Sequence, residues 1–161
     1  MKSTQPAHKP PQSRLFGLAA LLSLGGLADS IYLTVTHLTG ENVTCVASSG
    51  CSEVLSSSYA TVGKIPLGAL GALGYFAAFS LATLAAFGYP RARTFLTFLV
   101  AGMLATTLWL LYVQAFVLHA FCDFCLLSAA ITLSLSGIVT LSYFFGRRHR
   151  TAGEEAPLLE S

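Results

Sequence analysis

The stretch FCDFCLLSAAITLSLSGIVTLSYFF, residues 121–145, carries two messages at once. Beyond Asp123 it holds no charged side chain until Arg147, enough chain to cross a hydrocarbon core about 30 Å thick as a helix. Its first turn contains Cys122-Asp123-Phe124-Cys125, a C-x-x-C placed where the apolar run begins. The remaining two cysteines, Cys45 and Cys51, fall in the longest polar loop of the chain. Vicinal cysteine pairs relay electrons by exchanging disulfides, so this spacing points to redox chemistry at one end of a membrane helix.

Three further apolar stretches, at about 15–38, 65–89 and 94–119, have the same length. Across the 161 residues 54% are hydrophobic and 10% charged, against about a quarter charged in a soluble domain. The mean hydropathy of +0.68 agrees. The expected fold is an all-α integral membrane protein, a four-transmembrane-helix bundle over residues 15–146 with a cap loop at 39–64. Leu15 to Ala28 also has the look of a signal-peptide core. The run continues through Ile31, Tyr32 and Val35 to Leu38, however, longer than such cores extend.

Orientation follows from the basic residues. Lys2, Lys9 and Arg14 precede the first span, Arg91 and Arg93 join the second to the third, and Arg147, Arg148 and Arg150 follow the fourth. Of the nine Lys and Arg, only Lys64 falls on the other side. By the positive-inside rule both termini are expected in the cytoplasm, and both cysteine pairs on an oxidising exoplasmic face, the periplasm of a bacterial inner membrane being the natural case. The net charge of +2 then records topology and says nothing about nucleic acid.

Residues 1–14 and 147–161 read as polar, disordered cytoplasmic tails. The connection near Ala120 is short enough to make an antiparallel hairpin of the third and fourth spans. Ile65-Pro66-Leu67-Gly68 opens the second span, with Pro66 suited to a first helical turn. Gly68, Gly71 and Gly74 then form a stripe, which serves either close helix packing or the approach of a flat ring.

The cysteines leave several chemistries open. Haem attachment needs a His after the second Cys of the motif, and Leu126 stands there. Zinc held by all four cysteines and two inert structural disulfides remain alternatives. For redox work the positions are unequal. Cys122 falls at a helix N-terminus, where free N–H groups and the dipole favour a thiolate. Cys125 lies almost a turn deeper, toward the bundle interior. A strong thiol oxidant at about −120 mV needs an acceptor of higher potential, and a membrane quinone is the plausible sink in a chain without flavin or haem motifs.

The run Cys45-x5-Cys51-Ser-Glu-Val-Leu-Ser-Ser57-Ser-Tyr59, followed by Ile65-Pro66-Leu67-Gly68 and Cys122-x-x-Cys125, closely resembles bacterial homologues of vitamin K epoxide reductase over about residues 15–146. The resemblance implies a four-helix bundle around a quinone (ubiquinone or menaquinone), capped by the exoplasmic loop. It implies that Cys45 and Cys51 accept electrons from a thioredoxin-like, DsbA-like partner. Cys51 then passes them to Cys122 through a mixed disulfide, and Cys125 reduces the quinone. Ser57, Tyr59, Pro66 and Leu67 join Cys125 as candidate quinone contacts, although Ser57 is one of several loop serines. Two departures stand out. Many bacterial members carry a fifth helix and a fused thioredoxin-like domain, so a separate partner is expected here. Animal members have a tyrosine four residues after the inner cysteine, where this chain has Ala129, which argues against vitamin K epoxide as substrate.

Asp29 is the conspicuous carboxylate inside a span, a costly placement that reads as proton supply to the quinone or as a structural anchor through Ser30, Tyr32 or water. His119 reads as a thiolate-favouring neighbour of Cys122 or an interfacial residue. Tyr59, Tyr75, Trp109 and Tyr112 read as packing or interface aromatics. The leading expectation is a membrane thiol:quinone oxidoreductase that supports disulfide formation. Its rivals are an endomembrane vitamin K epoxide or quinone reductase and a non-enzymatic four-span scaffold.

Overall fold

The computed structural model describes residues 11–40, 45, 50–63 and 65–155, with side chains between positions 13 and 144. Four helices are long and apolar enough to cross a membrane: Ser13–Thr39, Leu67–Ala86, Pro90–Leu118 and Asp123–Phe144. The chain is an integral membrane helical bundle. In chain order α1 covers Pro11–Thr39, α2 Cys51–Ser56, α3 Leu67–Ala86, α4 Pro90–Tyr112 and α5 Asp123–Glu155. A π-helical segment, Val113–Leu118, prolongs α4. Between α2 and α3 come a 3-10 turn at Ser58–Ala60 and a two-stranded ribbon, β1 Thr61–Val62 and β2 Ile65–Pro66. The ribbon is antiparallel with Thr61 opposite Pro66, and Gly63 at φ 67° supplies its turn.

The spanning helices form a closed ring in which α1 packs on α3 and α5, and α4 on α3 and α5. α1 supplies Phe16 and Ala19 to the common core and so forms one wall of the bundle. Small residues set the closeness of α1 and α3, as expected where helices associate by packing in lipid. A Cβ on Gly26 would overlap the Tyr75 ring, and one on Gly68 would stand 2.8 Å from Thr34 Oγ1. Three residues advance a helix by about 300°, so a stripe at that spacing slowly rotates. Gly68 and Gly71 accordingly face Thr34 and Ser30 of α1, while Gly74 faces Met103 of α4.

Away from the cysteines, Ala78, Ala82 and Ala85 of α3 meet Leu96 and Val100 of α4 and Leu135 and Val139 of α5 in one core. That end is closed by Gly88 at φ 96°, by the Tyr89 N–H bond to the Leu84 carbonyl at 3.2 Å, and by Pro90 at the start of α4. The Arg93 guanidinium lies 5.2 Å from the Phe16 ring centre, tying α4 to α1. Outward-facing Leu21, Leu73, Phe76, Phe98, Leu108 and Leu133 leave the bundle sheathed in apolar surface, which suits lipid.

The helices extend beyond the spans at both ends: α1 begins at Pro11, and α5 runs on to Glu155, past the end of the last span at Phe144. A cluster of arginines ends a membrane span, but Arg, Ala and Glu are strong helix formers and do not end a helix. Residues 1–10, 41–44, 46–49, 64 and 156–161, including Lys2, Lys9 and Lys64, lie outside the described residues.

Candidate functional site

Both cysteine pairs meet at one end of the ring. Cys51 opens α2 and is joined to Cys45 by a disulfide, with Cα atoms 5.6 Å apart. No group of three potential metal-binding side chains occurs among the described residues. Cys122 and Cys125 are free thiols. Cys51 and Cys122, 1% and 0% exposed, share a small apolar cluster with Val54 and Ala120. Gly50 makes this approach possible. A Cβ there would come within 2.8 Å of the Phe121 carbonyl oxygen and 2.9 Å of its nitrogen. The sequence reading gave Gly50 no role.

The turn that returns the chain to α5 is built from unusual backbone. His119 sits at φ 49°, a left-handed conformation that few side chains adopt, and its side chain is exposed. The Ala120 N–H donates to the Gln114 carbonyl at 3.2 Å, closing the π segment. π segments recur at functional sites. Gln114 itself, 3% exposed, accepts the Cys122 backbone N–H on Oε1 at 3.1 Å, and its side chain lies beside the Cys125 sulfur. Nothing in the sequence reading singled it out. The available signal was a lone carboxamide in an apolar span, eight residues before Cys122.

Cys122 stands just ahead of the fourth span and acts as the N-cap of α5, its carbonyl accepting the Leu126 N–H at 3.0 Å. The neighbouring Cys125 thiol favours its thiolate. Together with the backbone N–H groups of Cys125 and Phe124, this brings the Cys122 thiol from 9.0 down to about 7, against the opposing effect of burial. Tyr32 packs on Phe124 with ring centres 5.1 Å apart, which places α1 beside this first turn.

Below the cap lies a cavity of about 710 Å³, within the range of small-molecule sites. Its walls are Gly68, Gly71, Gly74 and Tyr75 of α3, Met103, Thr106 and Leu110 of α4, Cys125, Ser128 and Ala129 of α5, and Leu33 of α1. The roof is Val54, Ser57, Tyr59, Val62 and Pro66, with Leu67 at the rim. Cys125, Ser57, Tyr59, Pro66 and Leu67 are thus brought to one cavity. Ser57 has a structural task as well, donating its hydroxyl to the Val54 carbonyl at 2.7 Å where α2 ends.

Two residues, Tyr75 and Asp29, depart from their expected settings. Tyr75, expected as a packing or interface aromatic, is buried. Its hydroxyl donates to the Ser128 carbonyl at 2.9 Å and meets Ser128 Oγ and Thr132 Oγ1 at 2.8 Å each, in the cavity wall. Asp29 is buried among the helices, outside the cavity lining, and Oδ2 has no hydrogen-bond partner among the described residues. Trp109 and Tyr112 are exposed on α4, where Tyr112 stacks between Trp109 and Phe116.

An apolar chamber with hydroxyls in its wall and one sulfur of a free dithiol facing in suits a flat, membrane-soluble electron acceptor. The other thiol of that pair packs against a second, closed disulfide. The profile of the vitamin K epoxide reductase family matches residues 18–140, a stretch that contains all four cysteines and the whole cavity. The chain belongs to the vitamin K epoxide reductase family, whose members are membrane oxidoreductases.

Proposed function

We propose that this protein is a thiol:quinone oxidoreductase that re-oxidises an exoplasmic thioredoxin-like dithiol. The observation that carries the reading is the split placement of the inner pair, with Cys122 against Cys51 and Cys125 on the cavity wall. A dithiol partner reduces the Cys45–Cys51 disulfide. The Cys51 thiolate attacks Cys122 within the inner disulfide, and Cys45 then resolves the Cys51–Cys122 linkage, leaving both inner thiols reduced. That last arrangement, outer pair closed and inner pair free, is the one in the structure. A quinone in the cavity supplies the sink for two electrons and two protons, and the inner pair closes again. Gly71, Gly74, Tyr59, Pro66 and Leu67 would hold its ring. The arginine and lysine pattern supports a cytoplasmic position for both termini, which puts the cysteine end on the oxidising side. Ala129, in the cavity wall, offers no hydroxyl where animal members have one, and this favours quinone over vitamin K epoxide as acceptor.

The test is turnover. Purified protein given a reduced thioredoxin-like dithiol protein should reduce a short-chain quinone, and Cys125→Ala should abolish the activity. Quinone reduction by Cys125→Ala at the normal rate would overturn the proposal.

A further inference from the structure

Gln114 is the one carboxamide among the residues whose side chains are described, and keeping it 3% exposed in an apolar span is costly unless both ends of the amide are used. The Cys122 backbone N–H can only donate, so the atom facing it at 3.1 Å must be Oε1. The NH2 end is thereby turned the other way, toward the Cys125 sulfur. The same side chain lines the cavity. One residue therefore bonds the backbone of the exchanging cysteine, lies beside the sulfur of the other and lines the acceptor chamber.

We infer that Gln114 is a catalytic residue of the relay, its NH2 group receiving Cys125 as that sulfur leaves the inner disulfide, while its oxygen holds Cys122 in register for Cys51. The inference rests on the thiol relay proposed above. In the step concerned, the Cys51 thiolate forms a bond to Cys122 Sγ and the Cys122–Cys125 bond breaks. The electron pair of that bond departs on Cys125, and the Gln114 N–H donates to the new thiolate. When Cys45 attacks Cys51, Cys122 leaves in turn as a thiolate. The two protons given up by the Cys45 and Cys51 thiols balance the inner dithiol. A hydrogen bond to a charged sulfur contributes more than one between neutral groups, so losing it should slow the exchange by about tenfold or more.

The two ends of the amide can be tested apart. Gln114→Met removes both. Gln114→Glu keeps the acceptor for the Cys122 N–H at every pH, but donates to Cys125 only while its carboxyl is protonated. The titratable groups around that position are Cys122 and Cys125, with Asp29 acting electrostatically on both, and His37 and Tyr59 line the same cavity. Oxidised protein freed of quinone would be given one equivalent of dithiothreitol, quenched with acid and alkylating reagent, and digested. Mass spectrometry then follows the Cys51–Cys122 peptide over time, so the readout does not depend on quinone turnover.

Gln114→Met should form the linkage about tenfold more slowly than the parent at all pH values. Gln114→Glu should approach the parent rate at low pH and fall progressively behind it as pH rises. A parent-like rate for Gln114→Met, or a pH-independent deficit for Gln114→Glu, overturns the inference and leaves the relay intact. Failure of the parent protein itself to form any Cys51–Cys122 linkage overturns the relay, and the role of Gln114 with it.

Discussion

Gly50 lies flat against Phe121: a side chain on Gly50 would put its first carbon 2.8 Å from the Phe121 carbonyl oxygen and 3.0 Å from Ala120 Cβ. These contacts join the cap to the turn before α5, and they bring the two cysteine pairs together. The φ of Gly50 is −92°, so glycine is needed here for space and not for conformation.

The first prediction follows from that contact. In Gly50→Ala the neighbouring atoms are largely backbone and cannot rotate away, so the cap must lift. A displacement near 1 Å between reacting groups can cost as much as about 100-fold in rate. Gly50→Ala should still form the Cys45–Cys51 disulfide, while formation of the Cys51–Cys122 linkage slows by at least about tenfold. Timed quenching and peptide mapping of both linkages measure the two separately. Normal linkage kinetics would show that the cap does not rely on this contact.

Much of this arrangement was open to a reader of the sequence, because lipid imposes a one-dimensional demand. A spanning helix must be apolar for a fixed length, so the spans near residues 15–38 and 65–89 are visible as runs. Ser57 and Tyr59 entered through the family resemblance, and they line the cavity. What stayed hidden depends on partners distant in the chain. The Tyr75 hydroxyl finds acceptors 53 and 57 residues away, and no local pattern separates it from a packing tyrosine. The π segment that turns Gln114 inward is a shift in backbone hydrogen bonding, which hydrophobic periodicity does not record. Gly50 resembles any loop glycine until the turn at Ala120 arrives beside it.

The lowered Cys122 thiol predicts the pH dependence of exchange. Its value of about 7 lies below the ordinary 9.0, so the thiolate is the main form above neutrality and is lost as pH falls through 7. The rate at which Cys122 attacks the Cys45–Cys51 disulfide in quinone-free protein should therefore rise up to about pH 7 and level off above it. The Cys125 thiol is the largest cause of the lowering, so Cys125→Ala should move the break upward. Stopped reactions across a pH series, scored for the Cys51–Cys122 linkage, read both effects. A single break near 9 in the parent protein would contradict the assignment.

Tyr75 carries the last prediction, and it concerns the chamber and not the thiols. Its hydroxyl joins α3 to α5 through Ser128 and Thr132, while its ring rests on the bare backbone at Gly26 of α1. Tyr75→Phe keeps the ring and the Gly26 contact but removes the hydroxyl, leaving two buried side-chain oxygens without their shared partner. A lost buried hydrogen bond of this kind costs about 1–2 kcal/mol, so the thermal midpoint in detergent should fall by a few degrees. Because Tyr75, Ser128 and Thr132 all line the cavity, the stabilisation conferred by a saturating short-chain quinone should also shrink. Melting curves with and without the quinone separate the two effects. A lower midpoint with an undiminished quinone shift would confine Tyr75 to holding the helices together, and an unchanged midpoint would remove the network from the stability of the bundle.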